Sequence, residues 1–294
     1  MSSEPTAGAS EPLIRNITDT ARWVAAYRAR ETERPDALFR DPYAKRLAGD
    51  RGEQIASAMP NVSGTDWPFV MRTYVFDRFI SREVARGVDT VLNLAAGLDA
   101  RPYRMALPSS LKWFEVDLPE LIAYKTQVLA AEKPVCALER VPLNLAQTSE
   151  RRALFETIAA KSTRTLVISE GLLLYLTAEE VGALARDLAA QRAFERWTLD
   201  LASPGLLEML KRRMGAMVTE AGAPYKFAPP EGPQFFEPHG WSVVTVESLF
   251  DQARKARRLP LYLRIFAMLP QPKGPRRIWS GVCLLQRTTV SPPR

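Results

Sequence analysis

The segment VLNLAAGLDARPYRM, residues 91–105, joins an apolar run to a turn of small residues, Ala95-Ala96-Gly97. A second apolar run ends at Asp117, which follows Gly97 by 20 residues. An acidic residue at this spacing accepts hydrogen bonds from ribose hydroxyls, because a carboxylate offers acceptors alone. Glycine adopts positive φ and lets a ligand approach the backbone. Together the two residues favour a nucleotide-type ligand, although Gly97 alone is typical of a tight turn and Asp117 alone of a helix N-cap.

The glycine content of this turn argues against a bound pyrophosphate. Dinucleotide-binding loops prefer the pattern G-x-G-x-x-G, whereas residues 95–100 read A-A-G-L-D-A. A nicotinamide cofactor is therefore disfavoured, and an adenosine ligand without phosphate fits better. S-adenosylmethionine is such a ligand, since it carries an adenosine, a sulfonium and an amino-acid tail.

Short strands that alternate with helices are predicted to position these residues. Strands are expected at 90–96, 111–116, 135–141, 165–169 and 197–201, with helices at 99–106, 119–132, 150–160 and 178–191. This alternation predicts βαβ units and therefore an α/β fold with a mostly parallel sheet. Ligands of such sheets bind beyond the carboxyl ends of the strands. The turn at Gly97, together with Asp117, Asn144 and Glu170, falls at these ends.

The flanking segments divide the chain further. Residues 1–12 are rich in serine, proline and glutamate and are predicted to be a disordered tail. Residues 13–294 are expected to form one domain, with a helical cap at 13–88 that includes helices near 18–34 and 69–87. An insertion at 203–240, with a helix and then a proline- and aromatic-rich stretch, is predicted to be a lid. Two more strands are expected near 240–248 and 277–287.

Composition excludes several classes of function. The formal net charge of +7 is spread along the chain, and its clusters at 254–258 and 273–277 lack interleaved aromatic residues, so no nucleic-acid partner is expected. One histidine and two distant cysteines offer no recognisable zinc ligand set. With no signal peptide and no apolar span, a cytoplasmic protein without a membrane partner is expected. Oligomeric state is not encoded in these patterns.

Three motifs in order resemble the leucine carboxyl methyltransferase-like family, which includes protein phosphatase methyltransferases and bacterial polyketide carboxyl O-methyltransferases. They are VLNLAAGLDARPYRM, FEVDLPELIAYK and ISEGLLLYLTAEEV. The N-terminal AAYRARETERPDALFRDPYAKRLAG and the late HGWSVV resemble the bacterial branch, and the resemblance extends over about residues 20–286. It implies a class I methyltransferase Rossmann-like fold, with a mostly parallel seven-stranded sheet and helices on both faces. The implied cofactor is S-adenosyl-L-methionine.

The resemblance also implies a role for each cofactor-binding residue. Arg72 corresponds to the arginine that pairs with the cofactor carboxylate, and Gly97 to the last glycine of the turn. Asp117 corresponds to the ribose-binding acid. Asn144-Leu145 matches a pair near the adenine, and Glu170 an acid near the methionine moiety.

Further correspondences are less direct. Arg28 corresponds to a further basic residue near the cofactor tail. Ala95 and Asn144 depart from the glycine and aspartate that are usual in the family. Ala95 is tolerable if its φ is negative, and Asn144 keeps hydrogen bonding but loses the charge.

The expected activity is O-methylation of a carboxylate on an acidic small molecule, with a polyketide-like compound as one candidate. Such an acceptor is already ionised and needs no general base, so no catalytic residue is assigned and alignment with desolvation suffices. Tyr175, Tyr225, Phe235 and Phe236 are candidates for the acceptor pocket. The alternatives are a hydroxyl O-methyltransferase, a nicotinamide-dependent oxidoreductase and a non-catalytic nucleoside- or RNA-binding module.

Overall fold

The predicted strands form one seven-stranded sheet in this computed structural model, which describes residues 14–58, 66–220, 222–266 and 278–288. The strands are β1 (Thr90–Leu94), β2 (Lys112–Asp117), β3 (Ala137–Pro142), β4 (Thr165–Ser169), β5 (Phe194–Ala202), β6 (Trp241–Ser248) and β7 (Ser280–Arg287). Their order is β3-β2-β1-β4-β5-β7-β6. Strands β1 to β5 pair in parallel, while β7 lies antiparallel between β5 and β6. The expected mostly parallel seven-stranded fold is confirmed. The predicted tail at residues 1–12 lies outside the described residues.

Ten α-helices are present in the described residues. They are α1 (Ile17–Glu33), α2 (Ala44–Ala58), α3 (Trp67–Ala85), α4 (Arg101–Arg104), α5 (Pro119–Val128), α6 (Thr148–Ala160), α7 (Ala178–Ala189), α8 (Pro204–Glu220), α9 (Leu249–Lys255) and α10 (Leu261–Phe266). Two 3-10 helices span Leu173–Tyr175 and Gly232–His239. Proline in the first turn begins α3 and α5. A reciprocal capping box of Thr177 and Glu180 begins α7.

The central strands are buried on both faces, which explains why their sequences are mostly apolar rather than alternating. All five residues of β1 and of β4 are buried. On one face Leu92 and Leu94 pack in a core with α6, α7 and the 3-10 helix Gly232–His239. On the other face Val91 packs in a second core with α3 and α9. Alternate residues of one strand therefore pack against the helix layers on opposite faces of the sheet.

A third apolar cluster joins the N-terminal helices to the carboxyl ends of the strands. It brings together buried residues of α1 and α2, Leu98 and Ala100 after β1, and Leu207 of α8. Helix α1 reaches the turn itself, because a Cβ placed on Gly97 would lie 3.7 Å from the Cβ of Ala21. The cap predicted for the N-terminal region thus covers the edge at which a ligand is expected.

Helix α2 is interrupted by a kink at Gly49, whose φ of 57° and ψ of -176° are not helical. One local prediction differs from the structure. The segment Gly232–His239 was assigned to the lid, yet its Phe236 is fully buried in the core beside Trp197 and Trp241. Among the described residues, no helix combines the length and the apolarity that a membrane crossing requires.

Candidate active site

The register of the parallel strands places three carboxylates in one row. Leu94 of β1 pairs with Val116 of β2 and with Ser169 of β4, and Ser169 pairs with Leu199 of β5. The residues that follow on β2, β4 and β5 are acidic, namely Asp117, Glu170 and Asp200. The turn at residues 95–97 follows β1 in the same row. One edge of the sheet therefore gathers the turn and three acids.

Asp117 is tied to the turn that follows β1. Its Oδ2 accepts a hydrogen bond from the backbone N–H of Gly97 at 2.6 Å, and its Oδ1 accepts one from Leu118 N–H at 2.7 Å. Burial raises the pKa of this carboxyl, outweighing the two backbone donors, which lower it. A carboxylate has about four acceptor positions. Two of them stay available, as a ribose diol requires.

Arg72, from α3, is clamped between two of the acids in the row. Its Nε donates to Glu170 Oε1 at 3.1 Å, and its Nη1 donates to Asp200 Oδ2 at 3.3 Å. Asp200 Oδ1 also accepts from Gly171 N–H at 2.7 Å. Gly171 has φ 70°, and a Cβ there would lie 3.2 Å from Arg72 Nη1. Within the described residues Nη2 of Arg72 keeps no partner, so one nitrogen of a fixed guanidinium remains for a ligand carboxylate.

Sequence reasoning missed Asp200 and also Arg101, which extends the cluster. Arg101 Nη2 lies 2.8 Å from Glu170 Oε2, and its other nitrogens pair with Asp77 at 2.6 Å and Asp99 at 2.8 Å. Arg101 is almost wholly buried. In the sequence it reads as one of several arginines after the turn. The carboxyl-edge rule applied to the fifth strand, as to the first four, would have found Asp200.

Arg28, on α1, lies against the segment after Gly97 rather than beside Arg72. Its Nη2 donates to the carbonyl of Leu98 at 2.5 Å, and its Nε donates to Asp41 at 2.9 Å. Arg28 therefore fixes the cap helix to the loop that follows the turn. Its predicted contact with a cofactor tail stays a prediction.

Asn144 and Leu145 lie next to Asp117, as expected for residues beyond β3. The backbone N–H of Leu143 donates to the carbonyl of Asp117 at 2.8 Å. Asn144 is exposed, and its Oδ1 accepts from Ala146 N–H at 3.0 Å. Leu145 is half-buried against the core, and its carbonyl accepts from Arg151 at 2.7 Å. The amide group of Asn144 stays open to a polar edge of a ligand such as adenine.

These residues fit an adenosine ligand with a zwitterionic tail. A buried carboxylate faces the turn, an open arginine nitrogen lies in the same row, and no glycine-rich phosphate cradle is present at residues 95–100. A family model described as leucine carboxyl methyltransferase matches residues 21–189, more than half of the chain. The chain belongs to the leucine carboxyl methyltransferase family.

Individual relatives agree with this family. A Streptomyces coelicolor protein named "Putative S-adenosyl-L-methionine-dependent methyltransferase" is 32% identical over 275 residues, which cover 90% of this chain and 94% of the relative. A Frankia alni protein with the same description is 34% identical over 252 residues, 81% of this chain and 86% of its own. The protein is therefore an S-adenosylmethionine-dependent methyltransferase. The oxidoreductase and non-catalytic alternatives are set aside.

Solved structures agree with the fold. A DUF574 family protein from Streptomyces avermitilis superposes with a TM-score of 0.61 at 11% identity, covering 91% of this chain and 97% of that one. A putative methyltransferase from Thermobifida fusca gives a TM-score of 0.59 at 13% identity, covering 94% and 96%. At such low identity these likenesses support the methyltransferase fold alone.

Ala95 adopts a backbone conformation that the sequence did not predict. Its φ is 51°, the same value as at Gly97, so the condition that φ be negative is not met. A side chain in this left-handed region costs roughly 1–2 kcal/mol. The turn after β1 in this methyltransferase is therefore locally strained.

Replacing Ala95 by glycine should therefore stabilise the methyltransferase. Relief of the strain exceeds the extra entropy of glycine in the unfolded chain, which leaves a gain of about 0.5–1 kcal/mol. A melting temperature about 1–3 °C higher is expected by calorimetry. The neighbouring Ala96 is buried and is not in the left-handed region, so Ala96→Gly should lower the melting temperature. Equal changes in both variants would show that Ala95 is not strained.

The four candidate pocket residues separate into two groups. The rings of Tyr175 and Tyr225 lie 5.7 Å apart, and the backbone N–H of Lys226, the residue after Tyr225, donates to Leu174 O at 2.7 Å. Burial raises the pKa of both phenols, and the charge of Arg72 opposes that rise. The two tyrosines therefore lie near the arginine of the row.

Phe235 and Phe236 do not join this pocket, and their assignment to it was wrong. Phe236 is fully buried, with its ring 5.2 Å from that of Trp197, and Phe235 packs on it at 5.3 Å. Both precede β6, whose first residue Trp241 pairs with the last residue of β7, Arg287. They lie at the amino end of the strands, opposite the row of acids. The aromatic residues of this proline-rich segment were expected to line the acceptor pocket, and in the structure they pack in the hydrophobic core instead.

A separate cleft of about 530 Å³ lies between the end of α1, the start of α3 and the segment after α9. Trp67 and Tyr262 line it together with Arg34, Arg257 and Arg264. It contains none of the residues predicted to bind the cofactor. The assignment of the active site therefore rests on the row of side chains rather than on cavity size.

Proposed function

We propose that this methyltransferase transfers a methyl group to the carboxylate of a small acidic molecule, with a polyketide-like compound as one candidate. One observation carries the proposal: the row of strand ends offers no competent general base among the described residues. Burial keeps the phenols of Tyr175 and Tyr225 protonated near neutral pH, since it raises the pKa of each. The acids Glu170 and Asp200 are bound to arginine, and Asp117 accepts from the backbone N–H groups of Gly97 and Leu118. An acceptor that is already ionised needs no base.

The single histidine supports the same conclusion. His239 precedes β6 at the amino end of the sheet, where its Nδ1 lies 3.1 Å from Arg186 Nη1. Burial and the charge of Arg186 lower its pKa. It is therefore separated from the row of acids by the length of the strands, and it does not serve as a base there.

S-adenosylmethionine, when bound, supplies an electrophilic methyl group on a sulfonium. The residues of the chain then have to align the acceptor and exclude water. Aromatic rings of Trp23, Tyr27 and Phe69 lie within 5.1–5.7 Å of one another, and the guanidinium of Arg72 lies 5.6 Å from the Phe69 ring. An apolar wall beside a cation suits a carboxylate on an aromatic or aliphatic body.

Helix α8 adds apolar side chains to this wall. Leu207 is buried in the third apolar cluster, which joins the N-terminal helices to the carboxyl ends of the strands. Three further residues at helical spacing pack against this cluster: Leu210, Met214 and Met217. Methionine adapts its shape to the molecule that it contacts. The described part of the predicted lid therefore supports an apolar acceptor body.

The test is transfer of a labelled methyl group to compounds in a cell extract, followed by mild base. A methyl ester releases the label as methanol, which is volatile, whereas a methyl ether retains it. Release of the label supports a carboxylate acceptor. A label that resists base would contradict the proposal and favour the hydroxyl O-methyltransferase.

The pH dependence of the rate gives an independent prediction. A carboxylate acceptor is ionised above about pH 5, and burial places the tyrosine pKa values above their usual range. The proposal requires no general base, so kcat should stay level between about pH 6 and 9. Tyr175→Phe should keep kcat within about threefold, because its hydroxyl is not a base. A rate that climbs about tenfold per pH unit and collapses in this variant would indicate a tyrosine base.

A further inference from the structure

The row of acids belongs to a continuous ion-pair network that links α1 to the ends of β4 and β5. Arg28 pairs with Asp41, and Arg104 joins Asp41 to Asp77. Arg101 joins Asp77 to Asp99 and to Glu170, and Arg72 joins Glu170 to Asp200. Its members are the arginines 28, 72, 101 and 104 and the acids Asp41, Asp77, Asp99, Glu170 and Asp200. Four cations face five anions, so the network carries one negative charge in excess.

The excess charge is least compensated at Asp200. This residue ends the network and pairs with one arginine, at 3.3 Å, and Arg72 shares its charge with Glu170. The side chain of Asp200 is 20% exposed, more than any other acid of the network. Asp200 accepts one further hydrogen bond, from Gly171 N–H, whereas Asp99, the other acid with a single arginine, accepts two, from Asn93 and from the backbone N–H of Arg101. Neighbouring charges lower the pKa of Asp99, whereas burial raises that of Asp200.

We propose that Asp200 provides the negative charge by which the enzyme prefers the cationic methyl donor to its neutral product. The donor carries a zwitterionic tail and a sulfonium, a net charge of +1, whereas the product, S-adenosylhomocysteine, is a thioether with a net charge of zero. The donor therefore neutralises the network, and the product leaves it unbalanced. This difference favours release of the product after each turnover. The inference rests on the assigned cofactor and does not depend on the acceptor proposed above.

The substitution Asp200→Asn removes the charge of this side chain and keeps an oxygen that can accept a hydrogen bond. In Asp200→Asn the side-chain amide oxygen can still accept from Gly171 N–H, which preserves the turn after β4. The negative charge beside Arg72 is lost. Glu195, at the start of the same strand, pairs with Arg164 and provides a control for loss of one carboxylate at the opposite edge.

The experiment is calorimetric titration of wild type, Asp200→Asn, Asp200→Glu and Glu195→Gln with three ligands. The ligands are S-adenosylmethionine, S-adenosylhomocysteine and sinefungin, in which a carbon with an amino group replaces the sulfonium. In Asp200→Asn the affinity for the two cationic ligands should fall about tenfold, the scale of a charge pair at the margin of a protein interior. The affinity for S-adenosylhomocysteine should change less than about threefold. Asp200→Glu should restore the preference for the cationic ligands over S-adenosylhomocysteine, and Glu195→Gln should retain that preference.

Three results would overturn the inference. An equal loss for all three ligands in Asp200→Asn would make Asp200 a purely structural residue. Unchanged affinities would show that its charge is not sensed by the ligand. If wild type binds none of the three, the cofactor assignment itself fails, whereas binding without ester formation affects the acceptor proposal alone.

Discussion

The variant Asp117→Ala should lose at least about 100-fold in affinity for S-adenosylmethionine. A carboxylate that accepts two ribose hydroxyls contributes roughly 1.5–3 kcal/mol through each charge-assisted bond, and about 1.4 kcal/mol corresponds to tenfold. The same carboxylate accepts from the backbone N–H groups of Gly97 and Leu118. Its removal therefore also leaves two donors of the turn without their acceptor. Calorimetric titration measures the affinity, and thermal unfolding measures the accompanying loss of stability.

The variant Asp117→Asn separates the two effects. Its amide oxygen can still accept from Gly97 N–H, while the second acceptor oxygen and the charge are lost. Stability should then stay closer to that of wild type, whereas affinity should remain at least about tenfold reduced. A normal affinity in both variants would place the ribose away from Asp117.

Replacement of Arg72 by methionine should have the second large effect, on stability and on binding together. The change leaves Glu170 with Arg101 alone and Asp200 without an arginine partner, and breaking a buried ion pair in this way costs about 3–5 kcal/mol. It also removes the nitrogen that we assign to the cofactor carboxylate. The urea concentration at the midpoint of unfolding should therefore fall. The affinity for S-adenosylmethionine should fall by at least about tenfold.

Two further variants make the Arg72 prediction specific. Lysine keeps the charge but lacks the planar fork that contacts Glu170 and Asp200 at once, so Arg72→Lys should recover part of the stability and little of the affinity. Arg78, exposed on the same helix and paired with Glu247, is the control. Arg78→Met should cost less than about 1 kcal/mol. Similar losses in Arg78→Met and Arg72→Met would contradict a special role for Arg72.

The strands at the centre of the sheet were predictable because they are buried on both faces. The runs at 90–94 and 165–169 are mostly apolar, and every residue in them is buried. Gly97 follows the first run and Glu170 follows the second, and these two residues indicated where most of the row of side chains lies. The place of Asp117 beside Gly97 could be predicted from the spacing of the two residues, because a parallel sheet brings the carboxyl ends of neighbouring strands together.

Other features required coordinates, each for a physical reason. Ala95 has φ 51°, a value that composition does not predict for a residue with a Cβ. Arg101 and Asp200 acquire their roles from partners far apart in sequence, such as Asp77 and Glu170. Phe236 was misassigned, since an aromatic pair in a proline-rich segment has no periodicity that would distinguish packing from lining.

A crystal structure of the protein with S-adenosylhomocysteine would test the central claim most directly. We predict that the ribose hydroxyls donate to Asp117, that the adenine lies beside Asn144 and Leu145, and that the tail carboxylate contacts Arg72. Density for the ligand away from this row, for example in the cleft lined by Trp67 and Tyr262, would contradict the site described above.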